Sequence, residues 1–211
     1  MARVLITAGP TQEPIDAVRF IGNRSSGRMG LALADAAARA GHAVTLLLGP
    51  IAGRVKLERG VTRHPFRTTA DLDLLLREHG PTCDALIMAA AVADFRPASV
   101  TAGKLPRGER LTLELEPTPD LVAGCVERRR DHQQIIGFAL EPADGLVERA
   151  TAKLHRKGVD AIVANPLETL DAEHIDATLI RRDAAAESPG AMSKAAFAEW
   201  LMTRVALNLR R

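Results

Sequence analysis

Residues 27–50 read GRMGLALADAAARAGHAVTLLLGP. The first part is rich in alanine and leucine and predicts a helix from Gly27 to Ala40, closed by Gly41, the residue type that tolerates a left-handed helix end. The second part, Ala43 to Leu48 (AVTLLL), is a short apolar run stopped by Gly49-Pro50 and predicts a strand. Upstream, Arg3 to Thr7 (RVLIT) is another such run, ended by Gly9-Pro10, and suits a buried parallel strand. Strand, helix and strand in that order make the first unit of a doubly wound sheet.

The alternation continues outward. Val61 to Phe66 predicts a third strand, Thr69 to His79 a helix, and Asp84 to Ala89 (DALIMA) a fourth strand whose apolar middle implies burial on both faces. Further strands are expected at Ile135 to Ala139, Asp160 to Ala164 and Ala177 to Arg181. Thr118 is the expected N-cap of a helix that starts at Pro119 and runs to about Arg130. A helix from Gly145 to Lys157 stops at Gly158, and Ser193 caps a last one to about Leu209. Ala98 to Arg110, with Gly103, Pro106 and Gly108, breaks the pattern as a mobile loop, and Leu111 to Leu115 (LTLEL) alternates as an exposed strand. The fold class is therefore α/β, a Rossmann-like doubly wound, mostly parallel sheet, with one domain over residues 1–211 and no internal repeat.

A formal net charge of +2 gives no strong field, so nucleic acid is not an expected partner. The run Arg128 to Arg130 and the terminal Arg210 and Arg211 read as solvated helix ends. Cys83 and Cys125 form no CxxC pair, which disfavours a metal site or a disulfide framework and suits reduced cytosolic thiols. The apolar start MARVLITAG is too short for a signal peptide or a membrane span, so a cytoplasmic location away from membranes is expected.

Two segments carry chemistry. Gly22 to Gly30, GNRSSGRMG, is a glycine-punctuated loop of small hydrogen-bonding residues at the start of a helix, where first-turn N–H groups lack intrahelical partners. That describes an anion site. Arg28 and Met29 stand where a P-loop needs Lys and a hydroxyl, and GxGxxG is absent. A Rossmann-like NAD(P)-binding oxidoreductase is an alternative, weakened by the long insert after the first strand and by the absence of tyrosine. The second segment, Ala89 to Pro97 (AAAVADFRP), follows the fourth strand, where open α/β sheets bind ligands. Its alanines let a ligand approach the backbone, Asp94 suits a ribose, a base or Mg²⁺, and Phe95 offers an apolar wall. Lys104, in a glycine-bounded loop, suits charge developing on a transferred group. Each segment also has a plainer reading, as a turn with Ser caps, a strand-end turn and a solvated loop lysine.

The order of ITAGPTQEPIDAVRFIGNRSSGRMG, AAAVADFRPA, Lys104, TPDLV, GFALE and KLHRKGVDAIVAN resembles the phosphopantothenoylcysteine synthetase family, the phosphopantothenate–cysteine ligases of coenzyme A biosynthesis, over nearly the whole chain. The resemblance implies a ligase that activates the carboxylate of 4'-phosphopantothenate with CTP through an acyl-cytidylate, and joins it to L-cysteine with release of CMP and pyrophosphate. It implies Asn23 and Lys104 as catalytic residues and Ser25, Ser26, Gly27, Ala90, Ala91, Asp94, Phe95, Phe138 and Asn165 as nucleotide-binding residues, with no metal ligands assigned. Mg²⁺ is expected with CTP, and a homodimer in which the loop and the strand LTLEL serve dimerisation. The VAD of AAAVADF resembles bacterial, CTP-using members. Met1 stands directly before the first strand, so flavin-dependent decarboxylation is expected in a separate protein and no flavin in this chain. One departure is KLPR at Lys104 to Arg107, where the family has KxKK, so Pro106 stiffens the loop. A catalytically inactive nucleotide-binding homologue is a further alternative, weakened by the presence of Asn23 and Lys104.

Overall fold

The run Arg3–Ala8 forms an interior strand of the sheet, and all of its residues after Arg3 are buried, as a strand covered on both faces requires. A computed structural model describes residues 1–108, 110–169 and 172–208. Its main sheet has seven strands, here β1 (Arg3–Ala8), β2 (Ala43–Leu48), β3 (Val61–Pro65), β4 (Ala85–Met88), β5 (Gln134–Glu141), β6 (Ala161–Pro166) and β7 (Thr178–Arg181), in the order β7-β6-β5-β4-β1-β2-β3. All neighbours are parallel except β7, which runs antiparallel to β6. Strand order reverses between β1 and β4, which opens a crevice at their carboxyl ends.

The helices α1 (Arg28–Arg39), α2 (Thr69–His79), α3 (Leu121–Glu127), α4 (Leu146–Lys157) and α5 (Lys194–Asn208) cover both faces. Val4, Ile6 and Ala8 point with Val44, Leu46 and Ile87 into the core shared with α1 and α5, which includes Leu33, Phe197 and Leu201. The alternate residues Leu5, Leu47 and Leu86 enter the core shared with α2, α3 and α4, which includes Leu72, Leu121 and Leu154. Two layers of helix around a doubly covered sheet follow from this period-2 division of apolar strands.

Helix α2 starts with a capping box: Thr68 Oγ1 accepts from the Asp71 N–H at 3.1 Å, and the Asp71 carboxylate accepts from the Thr68 N–H at 2.8 Å. Burial pushes the Asp71 carboxyl up, but the Thr68 and Arg67 hydrogen bonds outweigh it and hold the carboxyl below its usual range. Thr68→Ala removes the hydroxyl acceptor and should lower stability by about 1 kcal/mol in urea unfolding. An unchanged midpoint would show that the cap contributes nothing.

Several expectations shift. Asp120, not Thr118, caps α3, accepting from the Ala123 N–H at 3.1 Å, and the helix ends at Glu127 instead of about Arg130. Thr118 instead donates its hydroxyl to the Ala93 carbonyl, so the segment before α3 is spent on holding the strand end after β4. The LTLEL run forms a strand only from Leu115, over Leu115–Pro117, paired antiparallel with Phe95–Pro97. A hairpin of Gln12–Pro14 and Phe20–Gly22 occupies the insert after β1, where no strand was expected. Ser193 accepts from the Ala196 N–H at 3.2 Å and so caps α5 as expected. Arg128 and Arg129 pair with Asp73 and Asp160; Leu209, Arg210 and Arg211 lie outside the described residues. Cys83 and Cys125 are buried free thiols, and burial pushes the Cys83 thiol up to about 11, which suppresses thiolate chemistry. Among the described residues no helix is long and apolar enough to cross a membrane.

Candidate active site

The loop after β4 is held flat against the loop after β1. The Ala90 N–H donates to Thr7 Oγ1 at 3.0 Å and the Ala93 N–H to Thr11 Oγ1 at 2.9 Å, and both threonines are wholly buried. Backbone bonds from Ala91 N to the Gly9 carbonyl (2.9 Å) and from Thr11 N to the Ala91 carbonyl (3.1 Å) complete the strap. Alanines there leave the backbone open to a ligand and keep it immobile.

Beside this strap the sheet edge carries a cavity of about 750 Å³, lined by Asn23 to Gly30, Met88 to Asp94, Thr118 to Val122 and Gly137 to Leu140, with Lys153, Lys157, Asn165 and Lys194. It lies at the carboxyl ends of the strands, on the β4 to β6 side of the switch point, where such folds take their ligands.

One wall is the amino end of α1. Gly27 is the N-cap, at φ 70° and with no side-chain cap, so no cap side chain occupies the amino end of α1, the kind of helix end that suits an anion. Only glycine takes that φ without strain. Gly30 lets α1 sit directly on β1, since a Cβ there would fall 2.3 Å from Ala8 Cβ. Ser25 Oγ accepts from the Gly27 N–H at 3.4 Å. Asn23 donates from Nδ2 to the Val92 carbonyl at 2.9 Å, which fixes its amide at the rim with Oδ1 available to accept.

The opposite wall is α4, where Lys153 and Lys157 stand one turn apart on one helix face. Lys157 pairs with the Asp120 carboxylate. Burial pushes that carboxyl up, but the Lys157 and Ala123 hydrogen bonds outweigh it and hold it below the usual range, so Asp120 stays charged and keeps the lysine aimed at the cavity. Phe138 and Asn165 come from the adjacent strands β5 and β6. Asn165 Oδ1 is buried with no hydrogen-bond partner among the described residues. An orphaned acceptor in a cavity is costly until a ligand supplies the donor.

Of the residues expected in the site, Asn23, Ser25, Ser26, Gly27, Ala90, Ala91, Asp94, Phe138 and Asn165 all line this cavity, whereas Phe95 and Lys104 do not. Phe95 is 53% exposed on the Phe95–Pro97 strand. Asp94 lines the cavity and Phe95, the next residue, starts that strand outside it, so the apolar wall expected of Phe95 is supplied by Phe138. Lys104 is exposed in the loop packed on the turn of the Gln12–Gly22 hairpin. Sequence reasoning missed the two cations on α4 and the Asp120 that holds one of them. Their signal was the four-residue spacing of the lysines in KLHRK.

The family model for the C-terminal domain of the DNA/pantothenate metabolism flavoprotein matches residues 1–208. The coenzyme A biosynthesis bifunctional protein CoaBC of Mycolicibacterium smegmatis is 38% identical over 221 residues, covering 99% of this chain and 53% of that protein. A cysteine/cysteine sulfinic acid decarboxylase from an unknown prokaryotic organism is 46% identical over 79% of this chain and 46% of its own length. The chain thus spans about half the length of the curated relatives it matches. The crystal structure of the C-terminal domain of a CoaBC protein superimposes with a TM-score of 0.84 at 34% identity, covering 99% of this chain and 96% of that one. On a match along almost its entire length, supported by both sequence and fold, the chain belongs to the family of the DNA/pantothenate metabolism flavoprotein C-terminal domain.

Proposed function

We propose that residues 1–211 form one synthetase domain, a phosphopantothenate–cysteine ligase that works through an acyl-cytidylate. The observation that carries this reading is the pairing, across one cavity, of an uncapped helix start beside Asn23 to Ser26 with the lysine wall of α4. Two anion-binding loci facing each other suit a nucleoside triphosphate and a phosphorylated acid held together. Membership of a family whose relatives include proteins named for coenzyme A biosynthesis supports the choice of substrates.

In the first step a carboxylate oxygen of 4'-phosphopantothenate attacks the α-phosphorus of CTP, and pyrophosphate leaves. In the second, the amine of L-cysteine attacks the activated carbonyl, the amide forms and CMP departs with the electron pair of the broken C–O bond. Ser25, Ser26 and the Gly27 end of α1 bind phosphate oxygens through N–H and O–H donors, and Lys153 and Lys157 offset the charge. Asn23 orients the acyl phosphate through the second N–H of its Nδ2, the first being held by Val92, without adding charge. Ala90 and Ala91 offer backbone to the nucleotide, Phe138 an apolar face, and Asn165 an acceptor for a ligand N–H or O–H.

Asp94 lines the cavity, and no group of three His, Cys, Asp or Glu converges on a metal site among the described residues. One carboxylate plus phosphate oxygens is the donor set Mg²⁺ takes with nucleotides. Asp94 would hold it, and the ion would supply neutralisation of triphosphate charge. The exposed apolar side chains Phe95, Leu111, Leu113 and Leu115 support the homodimer as part of the proposal.

The test is pyrophosphate release and amide formation with 4'-phosphopantothenate, L-cysteine and Mg²⁺, comparing CTP with ATP. Release should depend on the acid and be fastest with CTP. Nicotinamide reduction by any substrate without CTP consumption would replace the ligase with the oxidoreductase reading.

A further inference from the structure

Lys104 lies outside the cavity, yet its neighbours on both sides are fastened to the turn of the Gln12–Gly22 hairpin. The Ala17 N–H donates to the Gly103 carbonyl at 2.9 Å, and the Leu105 N–H donates to Asp16 Oδ2 at 3.0 Å. The Thr101 N–H reaches the Ile15 carbonyl at 3.1 Å, and Arg19 Nη2 the Leu105 carbonyl at 3.4 Å. Asp16 is the centre of this contact. Its side chain is fully buried and also accepts from the Val18 N–H at 2.8 Å, the Arg19 N–H at 2.7 Å and Arg19 Nη1 at 2.8 Å.

A buried carboxylate that closes a turn needs its local donors alone. This one spends a bond on a backbone N–H 89 positions away, next to the loop lysine. The same hairpin runs through Phe20–Gly22 into Asn23, whose amide is fixed to Val92 at the cavity rim. The lysine loop and the rim asparagine are therefore mounted on one small scaffold. A lysine between two fastened residues does not sweep freely as an open-loop lysine does. Only its side chain is left to move, so its reach is set where the scaffold puts its Cα.

We propose that Asp16 is a positioning residue for Lys104: by fastening the Leu105 N–H to the hairpin it presents the ammonium at a set place relative to Asn23. This rests on the ligase reading. Lys104 does not line the cavity of its own chain, so where the scaffold sets its Cα limits what the ammonium can reach.

A merely structural carboxylate and a positioning one differ in their coupling to Lys104. Asp16→Asn keeps the shape of the side chain and weakens its acceptance of backbone N–H donors. It should lower kcat for amide formation about fivefold, leave KM for 4'-phosphopantothenate within about twofold, and cost almost nothing more in a Lys104→Gln background, the non-additive pattern of residues acting as a unit. Leu105→Pro removes the same N–H from an exposed loop with Asp16 and its turn intact. It should reproduce the kcat loss, and it decides the matter if Asp16→Asn does not fold. Additive losses with Lys104→Gln, a raised kcat in Asp16→Asn, or an unchanged kcat in Leu105→Pro would each overturn the proposal. Absence of amide formation by the parent protein is a separate result, one that removes the ligase reading and this inference together.

Discussion

Gly30→Ala is expected to lower the unfolding free energy by about 3 kcal/mol, near the upper end of overpacking costs. The added Cβ would stand 2.3 Å from Ala8 Cβ and 3.0 Å from Ala8 Cα. Both obstacles belong to β1, an interior strand buried from Val4 onward, so the strand cannot yield and α1 must lift. The lift acts at the functional end of the helix, because Gly27 to Gly30 line the cavity. Misplacing anion donors by about 1 Å is enough to cost orders of magnitude in rate, so the variant should lose pyrophosphate release even in the fraction that stays folded. Urea unfolding and the pyrophosphate assay together check this. A parental midpoint would mean that α1 and β1 are not in backbone contact at Gly30.

Lys104→Gln should lower amide formation by at least about tenfold, equivalent to roughly 1.4 kcal/mol of transition-state stabilisation. Lys104 is exposed and forms no ion pair with the described residues, so thermal unfolding should stay where it is. The contrast between rate and stability is the signature of a group that works only on charge arising during the reaction. Lys104→Arg should rescue poorly, since a planar fork replaces a compact ammonium. Single-turnover amide formation is the measurement. A Gln variant matching the parent would remove Lys104 from the chemistry and turn attention to Arg107 in the same loop.

The two predictions separate two kinds of glycine- and lysine-bearing loop. Around Gly30 the backbone itself lines the cavity and packs on β1, so a single methyl is disruptive. Around Lys104 the backbone is a mount, fastened by Asp16, and the side chain alone carries the effect. Asp16 also carries a pH consequence. Burial pushes its carboxyl up, but hydrogen bonds from Val18, Arg19 and Leu105 outweigh it and hold the carboxyl below the usual range. A carboxyl depressed in the folded state contributes stability above its unfolded value and loses it as pH falls through the folded one. The fastening of the lysine loop therefore weakens only in acid.

The helix of residues 28–39 and the strand of residues 43–48 were legible in the run from Gly27 to Pro50, because their signals are local: continuous apolar sequence, an alanine-rich helix and glycine at the turns. The placing of Asn23 to Gly27 at the cavity was legible for the same reason, since a loop of small donors before a helix is a local pattern wherever the helix goes. Short antiparallel hairpins such as Gln12–Pro14 with Phe20–Gly22 were not, because three-residue strands carry no periodicity. Thr118 gave a misleading local signal: it has the chemistry of a cap, but a carbonyl 25 residues away claimed its hydroxyl.

By itself the sequence determined that the chain winds a mostly parallel sheet and sets a loop of small donors before a helix. Only the tertiary structure decided what faces that loop. Lys153 and Lys157 are ordinary surface lysines in an amphipathic helix until strand order brings α4 to the far side of the crevice. Thr7 and Thr11 are ordinary strand-end residues until β4 arrives beside β1 and their hydroxyls accept from Ala90 and Ala93. Phe95, expected in the pocket, is carried outside it, and Lys104 is held on a hairpin that no local pattern announces. Contacts between residues far apart in the chain depend on sheet order and register, and those are set by the packing of two complete faces, which no single segment encodes.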